Sequence, residues 1–262
     1  MSIRFGACIG TDTDKLAALA AAGYDYAEAS IQAIAAMTDD EYESFAVCAK
    51  SCPITVEACN SFFPGEIKLV GEDMDPAAVA SYTEKALDRI ARLGVKIAVL
   101  GSGKARMVPE GFDPKKAEEQ FAQVLRICGD IAVKHDITIV VEPLRTGECN
   151  FINTVADGLV MVKKADHPTV KCLADFYHVF MNGETMDAIK TSAGELRHTH
   201  IARANADRLV PHCHEDEAAC RIWAEALAAC NYSGRLSLEG SFGDDFEGMI
   251  QKAKKYLSLF NA

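Results

Sequence analysis

Four residues of types that ligate divalent metal ions follow or end short apolar runs in the second half of the chain. They are Glu142 after TIVV, Asp175 after VKCLA, His200 within LRHTHIA and Glu239 after LSL. Three carboxylates held close together in a partly buried site repel one another, and keeping each ionised there is costly. A bound cation removes that cost. The residue types therefore predict a metal site, and the alternative is that these are unrelated surface acids.

The mixture of ligand types limits the choice of metal ion but does not identify it. Carboxylate and imidazole ligands together suit Mn, Zn, Co or Fe better than Ca, and the oxygen-rich majority keeps Mg open. We predict one divalent ion, with Mn, Mg, Co and Zn as the candidates. His198 stands two residues before His200 and is the competing ligand. We interpret His198 as a hydrogen-bonded group that orients the ligands, because such partners commonly surround metal sites.

Eight short β-like runs alternate with longer helical patterns along the chain, and this pattern predicts a parallel sheet built from βα units. Eight such units favour a single (β/α)8 TIM barrel, and no linker marks a domain boundary within residues 1–262. An open doubly wound sheet would have a glycine-rich turn after its first strand, whereas GSG at 101–103 lacks that spacing. The predicted strands are RFGACIG, YDYAEAS, ITVEACN, KIAVLGSG, TIVVEPL, VKCLADFYH, LRHTHIA and LSLEG.

The barrel prediction explains how the candidate ligands meet. Alternate residues of a strand point inward, and the last inward residue faces the carboxyl-terminal mouth, where barrel enzymes build their active sites. In TIVVE, Ile139 and Val141 are the outward residues, which leaves Val140 and Glu142 pointing inward. The same alternation places the other three candidate ligands at the mouth.

Composition excludes several classes of function. The 38 acidic residues outnumber the 27 Lys and Arg, which gives a formal net charge of -11 and disfavours nucleic acid as a partner. Neither a basic leader nor an apolar run of about 20 residues is present, so we expect a cytoplasmic protein without a membrane partner. The 10 Cys are scattered, which favours reduced thiols over disulfides or thiol catalysis.

The segments VVEPL, ECNFINT, LADFYH, HTHIA and LSLEG resemble the xylose isomerase-like superfamily of sugar isomerases and epimerases, and the resemblance covers nearly the whole chain. The loops GSGKARMVPEGFD and ACNSFFPGEIKLVG are similar to the ketose 3-epimerase branch. The resemblance implies that Glu148 and His178 hold the sugar near its reacting carbons. It also implies that the four residues already named, Glu142, Asp175, His200 and Glu239, are the metal ligands. A homodimer or homotetramer is a further implication.

Two departures from the branch leave the substrate open. The branch usually carries an Arg about six residues after the ligand His, but Ala206 stands there, with Arg203 and Arg208 as the nearest candidates for substrate binding. The segment 145–147, RTG, also differs from the Asn-Arg-aromatic that commonly follows the first ligand. The superfamily assignment does not depend on either position.

The function implied is a sugar isomerase or epimerase that transfers a proton through a cis-enediolate. Glu142 and Glu239 would remove and return the proton, and the metal would stabilise the developing charge. A metal-dependent lyase or dehydratase shares the first step and differs only in the leaving group. A non-catalytic sugar-binding barrel is a further alternative, whereas hydrolysis in the manner of endonuclease IV would need more ligands and a basic track.

The loop PHCHEDE, residues 211–217, offers a second group of possible metal ligands. His212, Cys213 and His214 lie next to several acids in this loop. A metal site is one interpretation. A rim loop whose histidines cover or contact the substrate is the simpler one.

Overall fold

The computed structural model describes residues 2–192 and 194–262, and its strands form a closed parallel barrel. The eight strands pair in chain order, and the last strand pairs with the first. The predicted (β/α)8 fold is confirmed. The strands are β1 Arg4–Gly10, β2 Tyr26–Ser30, β3 Val56–Asn60, β4 Ile97–Leu100, β5 Thr138–Val141, β6 Val170–Asp175, β7 Leu196–Ile201 and β8 Arg235–Leu238.

The helices surround the barrel, and several begin at residues suited to satisfy their free N–H groups. Asp75 and Asp113 each accept a hydrogen bond from the backbone two residues later and precede a proline. None of the described helices is long and apolar enough to cross a membrane. The helices are α1 Asp14–Ala21, α2 Ile31–Ala36, α3 Asp39–Ser51, α4 Pro76–Ala91, α5 Gly103–Arg106, α6 Pro114–Val133, α7 Val155–Ala165, α8 Phe176–Met181, α9 Asp187–Thr191, α10 Glu217–Ala229 and α11 Phe246–Leu257.

Apolar side chains fill two separate regions, one between strands and helices and one inside the barrel. In β5, Ile139 and Val141 belong to the outer region, whereas Val140 belongs to the inner one. Glu142 follows in the inward phase, as the alternation predicts. Each fully buried aliphatic side chain contributes about 1.5 to 3 kcal/mol to folding. The inner region consists of Tyr26, Ala58, Ile97, Val99, Val140 and Leu173.

Below the mouth, polar groups of β2 and β8 form a hydrogen-bonded chain. Ser237 donates to Glu28 Oε2 at 2.5 Å, so its hydroxyl accepts from Tyr26 Oη at 2.7 Å. A Cβ added to Gly6 would stand 2.4 Å from Tyr26 Cε2, so the Tyr26 ring occupies the space that a larger residue at position 6 would need. These contacts set the position of Glu28 from beneath.

Candidate metal centre and substrate pocket

The four predicted ligands converge at the carboxyl-terminal mouth of the barrel. Glu142, Asp175, His200 and Glu239 each offer one ligand atom, and these atoms all lie within 4.8 Å of one another. His200 and Asp175 are fully or almost fully buried. Four consecutive strands, β5 to β8, deliver these side chains: Asp175 ends β6, His200 is the penultimate residue of β7, and Glu142 and Glu239 directly follow β5 and β8. The set of three carboxylates and one imidazole suits a divalent transition metal or Mg.

The orientation of His200 shows how well the donors fit a cation. Its Nε2 lies 2.9 Å from Glu28 Oε1, which makes Nε2 the donor. Its Nδ1 then faces Glu142 Oε1 at 3.2 Å and Glu239 Oε2 at 3.3 Å. A lone pair directed at two carboxylate oxygens is favourable only if a proton or a metal ion stands between them. The donor set therefore fits a metal ion.

The pKa shifts of the candidate ligands reflect how close their charged groups lie to one another. Burial raises the pKa of Glu142, and burial together with the charge of Glu239 raises the pKa of Asp175 to about 7. Burial would lower the pKa of His200, but the carboxylates of Glu239 and Glu28 raise it well above its usual value. Without a metal, protons on these groups reduce the repulsion among the carboxylates.

Arg208 supplies the fixed positive charge at this centre. Its Nη2 lies 2.8 Å from Glu239 Oε2 and 3.3 Å from Asp175 Oδ2, and its Nη1 lies 3.4 Å from Glu148 Oε1. The guanidinium stacks over Tyr177, 4.7 Å from the ring centroid. The backbone of Arg208 is left-handed, with φ of 49°. Such a conformation costs about 1 to 3 kcal/mol and is found often at functional sites.

Glu148 and His178, assigned to the substrate by resemblance, lie beside Arg208. The backbone N–H of Arg145 donates to His178 Nδ1 at 3.3 Å, which leaves the proton of His178 on Nε2. That Nε2 is buried, lies 3.3 Å from Asp175 Oδ2, and has no well-aligned hydrogen bond among the described residues. Burial lowers the pKa of His178, which favours the neutral ring. His178 can therefore donate to a hydroxyl group of a bound molecule.

A cavity of about 300 Å³ opens over these groups. This volume is at the lower end of the range for small-molecule sites, so it suits one sugar unit better than a larger ligand. The residues that line it come from both halves of the barrel: Gln32, Ser61, Phe63, Gly65, Ser102, Gly103, Lys104, Glu142, Leu144, Glu148, His178, Arg208 and Glu239.

Arg203, the other candidate for substrate binding, does not line this cavity. Its Nε binds Asp216 Oδ1 at 3.0 Å, and its Nη1 binds Asp207 Oδ2 at 3.2 Å. It also contacts Cys213 Sγ at 3.0 Å. The structure thus separates the two arginines and brings only Arg208 to the mouth.

The loop at 211–217 does gather possible metal ligands. Atoms of His212, Cys213 and Asp216 lie within 4.8 Å of one another, whereas His214 is largely exposed. Asp216, however, already accepts from the backbone N–H groups of His212 and Cys213 and from Arg203. These donors already bind both oxygens of the Asp216 carboxylate. The hydrogen bonds within the loop therefore account for why these residues lie together.

Sequence reasoning missed the residues that support the centre from the other half of the barrel. Glu28 accepts from His198 Nε2 at 2.8 Å as well as from His200. Asn60 donates from Nδ2 to Glu239 Oε1 at 2.8 Å. A usable signal existed for each, because Glu28 is an acid between two alanines in a buried strand and Asn60 ends β3. His198 has the hydrogen-bonding position predicted for it.

Residues 16–258 match a family model described as xylose isomerase-like TIM barrel. The chain belongs to this family. A probable ketose 3-epimerase of Synechocystis is 30% identical over 134 residues, which cover 51% of this chain and 45% of that protein. The D-psicose 3-epimerase of Agrobacterium fabrum is 28% identical over 262 residues, 94% of this chain and 84% of that protein. Relatives of this kind indicate that this member of the xylose isomerase-like family is an enzyme.

A solved structure agrees with the fold. The crystal structure of a D-psicose 3-epimerase in the presence of D-fructose is 20% identical, with a TM-score of 0.85 over 99% of this chain and 100% of that chain. At this identity the likeness shows the barrel fold that this member of the xylose isomerase-like family shares with it.

Proposed function

We propose that this protein is a divalent-metal-dependent sugar epimerase of the ketose 3-epimerase type. The observation that carries the proposal is the pair Glu142 and Glu239, whose carboxylates flank His200 Nδ1 at 3.2 and 3.3 Å in the same cavity as Glu148, His178 and Arg208. The ketose epimerases among its relatives support the sugar as substrate.

Glu142, Asp175, His200 and Glu239 would hold the ion. When bound, a divalent ion polarises the carbonyl and the neighbouring hydroxyl of a substrate and stabilises the negative charge that develops there. Mn, Mg, Co and Zn all stay candidates for this ligand set.

The residues of the chain would move the proton. A hydrogen on carbon next to a carbonyl is a weak acid, so a positioned carboxylate is needed to remove it. Glu142 and Glu239 come from opposite ends of the β5–β8 segment, and we assign one to each face of the sugar. One removes the proton, a cis-enediolate forms, and the other returns a proton from the opposite face.

The neighbouring groups would fix the sugar in place. His178 donates from Nε2, Glu148 accepts, and Arg208 donates from its guanidinium, so together they can bind the hydroxyls next to the reacting carbon. Holding the carbon within reach of both carboxylates supplies a large part of the rate, because the proton transfer becomes intramolecular.

The test is proton exchange in D₂O. Metal-loaded protein should introduce deuterium at the carbon next to the carbonyl of a ketose, detected by NMR, and chelation should abolish exchange and lower the melting temperature. Exchange accompanied by loss of water or another group would identify the lyase instead. If metal-loaded protein catalyses no exchange and chelation leaves the melting temperature unchanged, the proposal is refuted. The homodimer or homotetramer stays a prediction that light scattering can test.

A further inference from the structure

The cavity has two chemically different walls. The segment from β5 to β8 contributes Glu142, Glu148 and Glu239, whose carboxylates surround the metal centre. The opposite wall comes from α2, from the loop after β3 and from the start of α5 with the residue before it, and its described lining residues include no acid. This second wall consists of Gln32, Ser61, Phe63, Gly65, Ser102, Gly103 and Lys104.

Lys104 provides the one ammonium group among the described residues that line the cavity. Lys104 is exposed to solvent at the cavity, and within residues 2–192 and 194–262 its ammonium group forms no ion pair with a carboxylate and donates no hydrogen bond to a protein acceptor. Acidic residues outnumber basic ones by 38 to 27 in this chain, so the chain has carboxylates to spare. An unpaired cation on a cavity wall creates a local positive potential that favours an anionic group of a ligand.

The position of Lys104 is built into the packing of two loops. A Cβ on Gly65 would lie 3.1 Å from Lys104 Cβ, so the missing side chain makes room for the lysine stem. The N–H of Phe63 donates to Ser102 Oγ at 2.9 Å, and the N–H of Leu69 donates to the carbonyl of Ala105 at 2.9 Å. These two bonds tie the loop after β3 to α5, which carries Lys104, and this reduces the ordering cost of binding.

The wall from the β5–β8 segment is unfavourable for an anionic group. Glu148 and Glu239 would repel it, and the guanidinium of Arg208 already binds both of them as well as Asp175. Gln32 and Ser61 offer neutral hydrogen-bonding groups beside the lysine. A ligand with its carbonyl at the carboxylates and its far end at Lys104 satisfies both walls.

We propose that the substrate is a monosaccharide derivative with an anionic terminal group, a carboxylate or a phosphate, that pairs with Lys104. The inference rests on the proposed function and adds the substrate class to it. It makes Lys104 a specificity-determining residue, remote from the carbon that exchanges its proton.

The experiment compares three ketoses with metal-loaded protein in D₂O: D-fructose, D-fructose 6-phosphate and D-fructuronate. We expect faster deuterium exchange with one of the two anionic ketoses than with D-fructose, and the better of the two identifies phosphate or carboxylate. Lys104→Gln should lower the ratio of kcat/KM for that ketose over D-fructose by about fivefold, the upper end for an ion pair formed by an exposed lysine. Lys104→Arg should keep the preference, because it keeps the charge.

Lys85→Gln is the matched control, since Lys85 is exposed on α4 and forms no ion pair among the described residues. It should leave the ratio unchanged. A preference for D-fructose over both anionic ketoses, or an unchanged ratio in Lys104→Gln, would overturn the anionic-substrate inference while leaving the epimerase proposal intact. Absence of exchange with all three ketoses, together with a melting temperature that chelation leaves unchanged, would instead refute the proposed function, and this inference with it.

Discussion

The two halves of the barrel contribute differently to the candidate metal centre. The half from β5 to β8 presents all four candidate ligands, whereas the half from β1 to β4 presents Glu28 and Asn60, which bind the ligands. The first half therefore determines which atoms can reach an ion, and the second determines how they are oriented. The comparison shows that the identity of the four ligands does not by itself fix the geometry of such a centre. If Glu28 were absent, His200 could turn either ring nitrogen towards Glu142 and Glu239.

The largest expected effect tests the β5–β8 half. Glu142→Gln and Glu239→Gln each keep an oxygen ligand but lose the proton acceptor, so turnover should fall by about 10² to 10⁴, the usual value of general acid–base catalysis. Steady-state kinetics on variants with measured metal content give the comparison. In an epimerase, each variant should still exchange the proton of one epimer with D₂O. Near-normal exchange and turnover in both variants would show that other groups carry the proton.

The next prediction tests the β1–β4 half. Glu28→Gln removes the charge that orients both histidines, and loss of such a supporting group typically lowers metal affinity by about 10- to 100-fold. Isothermal titration calorimetry with Mn or Zn measures the affinity. Glu57→Gln is the matched control, because Glu57 is a partly buried acid that binds Arg4 and Arg235. If both variants lose metal affinity equally, the loss reflects general stability, and the proposed role of the β1–β4 half in orienting the ligands is contradicted.

The two arginines separated by the structure allow a sharper comparison within the second half of the chain. Arg208→Met should reduce kcat/KM by an amount equivalent to about 1.5 to 3 kcal/mol, the cost of lost hydrogen bonds to a charged group. Arg203→Met should leave kcat/KM within about twofold and lower the melting temperature instead, because its partner Asp216 is buried. A larger kinetic effect at Arg203 than at Arg208 would contradict the placement of the substrate.

The smallest expected effect concerns pH. The buried carboxyl of Asp175 has a pKa raised to about 7, and His200 is also protonated in the absence of metal, so binding an ion must release protons. Metal affinity should therefore rise with pH, on the order of fivefold from pH 6 to 7 for the Asp175 proton. Calorimetry in buffers of different ionisation enthalpy counts the protons released. Metal binding without proton release at pH 6 would contradict this reading of the centre.

The sequence was sufficient for the barrel and for the grouping of the four candidate ligands, because inward and outward side chains alternate along β5 to β8 and each candidate ligand stands within one residue of a strand end. It did not identify Glu28, which lies one inward position below the end of β2. An acid in a buried strand is noticeable there, but the local pattern does not show that this acid binds His198 and His200. Irregular pairing adds to the difficulty, since the register shifts between Ala27 and Glu28. Roles that depend on contacts between distant strands are not encoded in the spacing of one strand.

Arg203 and Arg208 show the same limit at a loop. Both stand near the position at which the resemblance to the ketose 3-epimerase branch predicts an arginine, and spacing does not choose between them. The choice depends on the left-handed backbone at Arg208, which turns its side chain to the mouth, and on Asp216, which holds Arg203 elsewhere. Such a choice follows from loop conformation, which short sequence patterns do not determine.

The hydrogen-bonded chain from Tyr26 through Ser237 to Glu28 has a consequence for directed evolution of this enzyme. A mutant library confined to the cavity would leave out the positions that hold His200 in place from below. Conversely, Gly6→Ala would push aside the Tyr26 ring, since the added Cβ would stand 2.4 Å from it. We expect random libraries to yield metal-deficient variants at Gly6, Tyr26 and Ser237. The packing of these three residues below Glu28 therefore restricts which changes at the candidate metal site single mutations can reach.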